Sequence, residues 1–492
     1  MVIMLNGVSD WLVVTTEILF IVCLAYWLFH IAGYWFHKFA SWPVPSSSIR
    51  HSAAAGAPRV AIIVPIRDEP RLIIQRMFTA LAGIKYEDLE VVIVDNSTDP
   101  ILLDSYRIEP TITASLRVVR KVDTIGFKAG AINSALRTLS DAVSYVLVLD
   151  ADHAPFPHIV KTLLPFMEDD KKLAFAQAPQ RFETRNNDLL TQAYAFQQRV
   201  FYDHVCPGMS KLGSLFMTGT NVLIRRTALE DIGGFDESTL TEDIRTSMLL
   251  HTRGWLGVHV PEVVAIGLSP PDFESYHRQQ RRWAIGTLQN TWQAWKHLHS
   301  APRSLKPFQW LQYLGWCGTW YLQGFFGLFM VWSSLIFCLV GINLRTGIFA
   351  IVPCVAFIAT AIYQVLDEKK ARGTSILNGL LSQAIYFGNS IVYVLATIDF
   401  VANRRMTYQV TRKLPGSAEA PSRPFVVYHS VLFATSAFAV GLMLSQRNPA
   451  FLVQVPWVLL FMCQSGMIVL LTRPSYMRSH RPLFSYPKGG KV

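Results

Sequence analysis

Long apolar segments on both sides of a more polar block are the feature that most limits how this chain can fold. Residues 11–36 form an apolar run that is long enough to span a bilayer. After residue 300 the chain turns apolar again, with candidate spans at about 321–342, 347–366, 425–444 and 451–472. A further stretch, 376–398, is less uniform because asparagine, serine and glutamine interrupt it. The sequence therefore predicts an α-helical transmembrane bundle attached to a soluble domain.

Basic residues are distributed unevenly among the connections between these segments. Three basic clusters stand out, at 369–372, 404–413 and 473–481. The connections 343–346 and 445–450 carry one arginine each. Because Lys and Arg favour cytoplasmic connections, all three clusters share the side of the soluble block only if 376–398 lies in the membrane interface. We predict this arrangement, with five spans, one interfacial helix and a cytoplasmic soluble domain, and six crossings are the alternative.

The composition narrows the classes of partner. The chain has 45 Lys and Arg against 34 Asp and Glu, a net charge of +11, but these residues are scattered and form no run of the nucleic-acid-binding type. We expect no nucleic acid partner. The six cysteines form no CxxC pair and most lie in apolar runs, which indicates packing residues and neither a disulfide framework nor a zinc site.

Four short runs rich in valine and isoleucine lie inside the polar block, at 60–66, 89–95, 116–120 and 144–150. Helix-like stretches around 70–83 and 127–140 separate them. Continuous apolar strands that alternate with helices predict an α/β, Rossmann-like, mostly parallel sheet covered on both faces. We divide the chain into an N-terminal transmembrane helix with a linker (1–58), a cytoplasmic domain (59–300) and a C-terminal membrane part (301–492).

Two carboxylates close the fourth predicted strand, Asp150 and Asp152, one residue apart. Like charges this close repel each other unless something binds between them. From a turn that leaves a strand both can reach one hard divalent cation, and Mg²⁺ prefers one or two protein carboxylates with phosphate oxygens and waters. We predict that these residues bind Mg²⁺ or Mn²⁺, which in turn binds a nucleotide diphosphate. An Asp-x-Asp pair is also common as an ordinary turn that caps a helix, so the site needs other motifs.

Other motifs accompany this pair in a fixed order. They are VDNSTD (94–99), FKAGAIN (127–133), FMTGTNVLIRR (216–226), the TED triplet that ends at Asp243, and HRQQRRW (277–283). Together they resemble the membrane-embedded, processive family 2 glycosyltransferases, and the resemblance covers nearly the whole chain. Within that family the chain is most similar to bacterial cellulose synthases in DADHAP (150–155), PQRF (179–182), HTRGW (251–255) and GLSP (267–270).

Two further positions bear on this resemblance. The stretch YQVTRK (408–413) is similar to the FxVTxK gating loop of cellulose synthases, with Tyr408 in place of Phe. Gln280, the second residue of QQRRW, stands where cellulose synthases tend to carry Arg, and chitooligosaccharide and hyaluronan synthases are more similar here. The donor sugar and the linkage therefore stay open.

The resemblance implies a GT-A fold for the soluble domain and assigns roles to residues. Asp243 is the expected catalytic base, which takes a proton from the attacking hydroxyl in an inverting transfer. The expected residues for binding the UDP-sugar donor are Asp68, Asp95, Lys128, Gln279 and Arg282. The expected residues for binding the acceptor are Trp283, Thr218, Gly219 and Glu242. The gating loop is expected at 403–416, with Tyr408, Val410, Thr411 and Lys413.

Simpler alternatives exist for some of these positions. Asp95 could cap the end of a strand, Lys128 could be a solvated lysine at a helix start, and Gly219 could serve a turn. His153 could support the metal turn or make a structural hydrogen bond.

These assignments predict a processive inverting β-glycosyltransferase in a bacterial plasma membrane. It would polymerise glucose from UDP-glucose into a linear β-glucan and translocate the growing polysaccharide across the bilayer. A periplasmic or export subunit is left open. The alternatives are a UDP-GlcNAc-dependent enzyme of the chitin or hyaluronan type, a non-processive lipid glycosyltransferase, and a binding or transport protein with a vestigial catalytic block.

Overall fold

The computed structural model describes most of the chain. The described residues are 2–41, 57–109, 115–184, 188–340, 351–404, 423–446 and 454–471. The expected gating-loop residues Tyr408, Val410, Thr411 and Lys413 lie outside the described residues, so that assignment stays a prediction.

A seven-stranded sheet forms the centre of the soluble domain. Its strands are β1 Arg59–Ile66, β2 Leu89–Asp95, β3 Leu116–Arg120, β4 Val143–Val148, β6 Leu173–Gln177, β8 Val222–Arg225 and β9 Leu256–His259. A second, three-stranded sheet contains β5 Ala154–Pro155, β7 Arg181–Glu183 and β10 Ala265–Leu268. The first four strands of the large sheet confirm the four predicted strands, because each is an apolar run that can be buried on both faces of a sheet.

The strand order of the large sheet places a cleft at its carboxyl edge. The order is β3-β2-β1-β4-β8-β6-β9, with β1 parallel to both β2 and β4. The chain crosses from one side of β1 to the other at this point, and open α/β sheets bind ligands at such switch points. The sheet is mixed, because β8 runs antiparallel to β4 and to β6. One inserted antiparallel strand thus modifies the predicted mostly parallel sheet.

Helices cover both faces of this sheet. They are α2 Arg71–Ala82, α3 Phe127–Leu136, α4 Ile159–Asp169, α5 Leu189–Arg199, α6 Cys206–Lys211, α7 Arg226–Ile232, α8 Glu242–Thr252 and α9 Phe273–Ser300. A π-helical segment, Val200–Val205, joins α5 to α6. Alternate residues of the strands point into two separate apolar cores, so Ile63 packs on one face and Ile62 on the other. The predicted helices around 70–83 and 127–140 are confirmed.

The remaining helices form a bundle. They are α1 Val2–Ala40, α10 Pro307–Trp310, α11 Cys317–Trp320, α12 Gln323–Val340, α13 Ile351–Arg372, α14 Ile376–Phe387, α15 Ser390–Val401, α16 Arg423–Gln446 and α17 Val455–Leu471. A π-helical segment, Leu311–Trp316, joins α10 to α11. The bundle has its own apolar core, in which Trp27 of α1 and Trp457 of α17 are buried.

Four stretches of the described residues are long and apolar enough to cross a membrane: Val14–Ala40, Ile351–Arg372, Ile376–Val401 and Phe425–Ser445. These helices mark the chain as a membrane protein. The predicted spans 321–342 and 451–472 correspond to the shorter apolar helices Gln323–Ile336 and Val455–Leu471.

The segment 376–398 that we predicted to be interfacial is, by length and composition, also able to cross. Its helix is broken at Gly388 and Asn389, and its two halves pack on α5 and α9 of the soluble domain. The interfacial position stays a prediction, because length does not separate it from a crossing.

Ion pairs fix the bundle to the soluble domain. Arg199 at the end of α5 pairs with Asp367 of α13 at 2.8 Å and with Glu368 at 2.9 Å. Arg281 of α9 pairs with Asp399 of α15, whose side chain is only 5% exposed. The pair of Arg199 with Glu368 is largely buried, with side chains 13% and 4% exposed, and breaking such a pair leaves an uncompensated charge, which typically costs about 3–5 kcal/mol. The two parts therefore hold a defined relative position around the space between them.

Candidate active site

The turn after β4 brings two carboxylates and an imidazole together. The backbone N–H of Asp150 donates to Oγ1 of Thr220 at 2.9 Å, and that of His153 donates to the carbonyl of Asp150 at 3.0 Å. In this tight turn, the ligand atoms of Asp150, Asp152 and His153 all lie within 4.8 Å of one another. Oxygen-rich sets of this size suit hard divalent cations. The residues therefore fit the predicted metal site.

His153 is held in place by the second sheet. Its Nδ1 lies 3.4 Å from Oδ1 of Asp152, and its ring packs edge-on against Phe182 with centroids 5.3 Å apart. A Cβ on Gly267 would lie 2.6 Å from the imidazole, so glycine is required at that point of β10. Among the described residues, Nε2 of His153 has no hydrogen-bond partner although it is buried. The histidine both supports the turn and presents a free ring nitrogen.

Lys128 connects the metal turn to the TED triplet. Its Nζ donates to Oδ1 of Asp150 at 2.5 Å and to the carbonyl of Gly219 at 2.8 Å, and lies 4.0 Å from Oε1 of Glu242. Only 16% of the side chain is exposed. The alternative of a solvated lysine at the start of a helix is therefore wrong.

Asp243 lies in the first turn of α8 and faces the same space. The backbone N–H of Ile244 donates to its Oδ1 at 2.9 Å. Gly219 has a φ of +85°, and a Cβ there would lie 3.2 Å from Oδ2 of Asp243. Burial, and then the charge of Glu242, raise the pKa of Asp243 to about 7, against the opposing effect of Lys128. A carboxylate whose pKa is close to neutral is well matched to general-base work.

Helix α9 supplies one wall of the cleft. Gln279, Arg282 and Trp283 line it, as expected from the QQRRW motif. A guanidinium suits phosphate oxygens because its planar fork can donate two parallel hydrogen bonds. Among the described residues, the buried Oε1 of Gln279 has no hydrogen-bond partner, so this amide can accept a hydrogen bond from a ligand.

The other two residues of QQRRW face away from the cleft. Gln280 is fully buried, and its Oε1 accepts a hydrogen bond from the hydroxyl of Tyr393 at 2.8 Å. Arg281 is the partner of Asp399. Gln280, the position that departs from the cellulose synthase pattern, therefore contacts α15 and does not line the cleft.

Most predicted site residues meet in a polar cleft of about 150 Å³. The ten that line it are Lys128, Asp150, Asp152, Thr218, Gly219, Glu242, Asp243, Gln279, Arg282 and Trp283. They come from five separate parts of the sequence, and the fold brings them together around one cleft.

Asp68 and Asp95 are not part of this lining. The buried carboxylate of Asp95 pairs with Arg120 at 2.9 Å and accepts from the backbone N–H groups of Ser97 at 3.0 Å and Ile101 at 2.9 Å. Its contacts are those of the strand-end cap that we gave as the alternative. Asp68 accepts from the backbone N–H of Thr98 at 2.7 Å. Donor binding by these two residues stays a prediction.

Several residues of the cleft lie outside the predicted set, among them Gln180, Phe182 and Tyr194. Nε2 of Gln180 donates to the carbonyl of Thr218 at 2.7 Å and so orders the segment that leads to Gly219. Gln180 and Phe182 belong to the PQRF motif, which could have revealed them. Tyr194 lies inside an ordinary amphipathic helix, and its position carries no signal in the sequence.

A second, larger cavity of about 310 Å³ adjoins the cleft. Five residues line both spaces: Gln180, Thr218, Thr241, Asp243 and Trp283. From there the cavity continues between α1, α11, α13 and α14, where Trp27, Trp320, Tyr386 and Phe387 line it. Asp243 and Trp283 thus stand where a polar cleft opens into a largely aromatic cavity within the bundle.

The mixed sheet, the Asp-x-Asp turn at its carboxyl edge and a separate carboxylate across the cleft define the chain's soluble domain as a glycosyltransferase of the GT-A fold. A solved structure shares this fold: a mannosyltransferase from Pyrobaculum calidifontis in complex with GDP-Man and Mn²⁺ superposes with a TM-score of 0.53, at 18% identity, over 79% of this chain and 100% of that one.

Residues 58–286 match the family described as "Glycosyltransferase like family 2". A cellulose synthase catalytic subunit (UDP-forming) from Komagataeibacter sucrofermentans is 29% identical over 239 residues, 47% of this chain and 31% of that protein. Glucomannan 4-beta-mannosyltransferase 1 from Oryza sativa subsp. japonica is 27% identical over 256 residues, 50% of this chain and 48% of that protein. Residues 58–286 therefore form a family 2 glycosyltransferase domain, which is similar in sequence to cellulose synthases and glucomannan mannosyltransferases. The match spans less than half the length of these relatives.

Proposed function

We propose that the protein is a processive, inverting β-glycosyltransferase that builds a linear β-glucan from UDP-glucose. One observation carries this proposal: Asp243 and Trp283 line both the polar cleft beside Asp150 and Asp152 and the aromatic cavity within the bundle. A donor in the cleft and an acceptor in the cavity would meet at these two side chains.

The base chemistry follows from the position of Asp243. With its pKa at about 7, the carboxylate is substantially ionised at neutral pH and can take the proton of an acceptor hydroxyl as that oxygen attacks the anomeric carbon. The transfer then needs one displacement and inverts the anomeric centre. Because a single displacement forms no covalent intermediate, the reaction requires no second carboxylate as a nucleophile.

The diphosphate of the donor would be held from two sides. Asp150 and Asp152 would bind a divalent cation, which when bound neutralises charge on the leaving diphosphate. Arg282 and the amide N–H groups of Gln279 would donate to the phosphate oxygens from the opposite wall, and Lys128, which already bridges Asp150 to Gly219, would add a further positive charge. Holding the donor and the acceptor in the geometry needed for reaction can lower the activation free energy by several kcal/mol.

The walls of the larger cavity favour a neutral polymer. Among the described residues that line it, Asp243 is the sole carboxylate, and none is Lys or Arg. Aromatic side chains such as Trp283, Trp320 and Tyr386 offer faces on which sugar C–H groups pack. A polymer that contains uronic acids would meet no cation there, which argues against the hyaluronan-type alternative.

The location completes the proposal. We place the protein in a bacterial plasma membrane with the glycosyltransferase domain in the cytoplasm, where nucleotide sugars are made, and the polymer would leave through the bundle. The segment 403–416 would close over the donor. These statements rest on the charge distribution of the connections and on the sequence resemblance.

A second candidate has support from one observation. A glucomannan mannosyltransferase is about as similar to this chain as a cellulose synthase subunit is. A mannosyl donor with a β-mannan product is therefore the main alternative to UDP-glucose, and it uses the same residues of the site.

The test is a donor comparison with the purified full chain. The protein in lipid nanodiscs is incubated with Mg²⁺ or Mn²⁺ and radiolabelled UDP-glucose, GDP-mannose or UDP-GlcNAc, and the product is sized and digested with linkage-specific glucanases and mannanases. We expect a polymer of many residues from UDP-glucose. Extension by one residue only would refute processivity, and polymer from another donor alone would refute the assignment of glucose. An Asp243→Asn variant serves as the inactive control.

A further inference from the structure

The triplet that contains the catalytic base is docked onto α9. Thr241 immediately precedes α8, whose first residues are Glu242 and Asp243. Nδ2 of Asn290, on α9, donates to the carbonyl of Thr241 at 2.9 Å and to its Oγ1 at 2.8 Å. One residue earlier on the same helix, Oε1 of Gln289 accepts from the backbone N–H of Leu240 at 3.0 Å.

The contact is also close in space. A Cβ on Gly286 would lie 2.6 Å from Oγ1, 2.7 Å from Cγ2 and 2.8 Å from the backbone N of Thr241. Real Cβ atoms do not approach other atoms so closely, so only glycine allows α9 to reach this segment. Asn290 is buried, with 3% of its surface exposed. The hydrogen bonds are thus shielded from water, where each contributes more than at a surface.

The same helix carries the donor side of the site. Gln279, Arg282 and Trp283 line the polar cleft within the first half of α9. A continuous helix is stiff on this scale, with a rise of about 1.5 Å per residue. The distance between the phosphate-binding residues and the segment that ends in Asp243 is therefore set by α9.

We propose that Asn290 is a positioning residue for the catalytic base, and that α9 acts as the strut that aligns the base with the donor. Asn290 touches neither cavity, so its effect passes through Thr241 alone. The inference deepens the proposed transfer reaction and rests on it for the kinetic part of its test. Displacement of a catalytic group by about 1 Å can cost about 100-fold in rate.

The kinetic test uses two substitutions that act in different ways. Asn290→Ala removes both hydrogen bonds to Thr241, and Gly286→Ala inserts a methyl group against the same residue. For each we expect kcat for UDP release to fall about 10- to 100-fold. The Kd of UDP with Mn²⁺, measured by calorimetry, should stay within about twofold, because the donor wall is unchanged. The control is Gln293→Ala on the same helix, which should leave both values unchanged.

The outcomes separate this inference from the proposed function. A fall in kcat with unchanged Kd supports positioning, whereas an unchanged kcat, or a kcat and UDP affinity that fall together, refutes it. If the wild-type chain transfers no sugar from any donor, the proposed function fails, and the positioning is then tested by the structure of the Asn290→Ala variant. A shift of the Asp243 carboxylate by about 1 Å relative to Asp150 would support it, and an unmoved carboxylate would refute it.

Discussion

Replacing Asp243 by Asn should abolish turnover and at the same time stabilise the fold. The carboxylate lies beside Glu242 in a buried setting that raises its pKa from 3.8 to about 7. The native state therefore keeps a proton that the unfolded chain has lost, and wild-type stability falls as pH rises from about 4 to about 7. The amide of Asn carries no charge, so it does not suffer this loss.

The magnitude follows from the size of the shift. The rise of the pKa from 3.8 to about 7 corresponds to a loss of about 4 kcal/mol in the free energy of unfolding. The full loss applies only above pH 7. At pH 5.5 about half of it has developed. For a domain of this size 1 kcal/mol corresponds to roughly 2–4 °C in Tm, so the gain at pH 8 should be on the order of 10 °C. The Asn side chain can still accept the hydrogen bond from the N–H of Ile244.

The assay is thermal unfolding of the detergent-solubilised full chain at pH 5.5 and pH 8, together with calorimetric titration of UDP. We expect Asp243→Asn to have the higher Tm at both values, with a larger difference at pH 8, and to bind UDP nearly as the wild type does. The control Asp141→Asn removes a fully exposed carboxylate and should leave Tm unchanged. A variant that is less stable than the wild type at pH 8, or a difference in Tm that does not depend on pH, would refute the inference that ionised Asp243 destabilises the fold.

Further predictions follow from the same geometry. The kcat/KM for transfer should decline as pH falls below about 7, since protonated Asp243 cannot act as a base, and a pH–rate profile measures this midpoint. Asp152→Asn should weaken Mn²⁺ binding at least tenfold, measured by electron paramagnetic resonance, because it removes one of two carboxylate ligands. Gly219→Ala should reduce kcat by at least tenfold, since its φ of +85° disfavours a side chain and its Cβ would press on Asp243; normal kcat would contradict this. Asp399→Asn should lower the free energy of unfolding by about 1 kcal/mol, because its partners Arg281 and Arg404 are both partly exposed, and denaturant titration measures the change.

The sequence predicts strands β1 to β4 of the large sheet, because each is a short run rich in valine and isoleucine. It also predicts that Asp150 and Asp243 share a site, although 93 positions separate them in the numbering, because both belong to motifs of one family. The antiparallel strand β8 was not predicted. Its pairing depends on partners far away in the chain, and Val222–Arg225 alone gives no orientation.

Side-chain contacts are the part that sequence reasoning misses. For Asp95 the sequence left donor binding and a strand-end cap open, and only the structure shows that its carboxylate contacts Arg120 and two backbone N–H groups. The QQRRW motif contains two adjacent arginines that point in different directions from the helix. Arg282 lines the cleft, whereas Arg281 pairs with Asp399. Gln280 departs from the cellulose synthase pattern, and its burial against Tyr393 shows that a position within a motif can serve helix packing.

The five residues common to both cavities have a consequence for engineering. Thr218 and Trp283 line both spaces, so if the cleft binds the donor and the cavity the acceptor, as proposed, a substitution selected for a new donor would also alter acceptor binding. Arg67 and Phe127 border the cleft alone. Selection for another nucleotide can therefore vary Arg67 and Phe127, while the five residues that line both spaces should be kept unchanged.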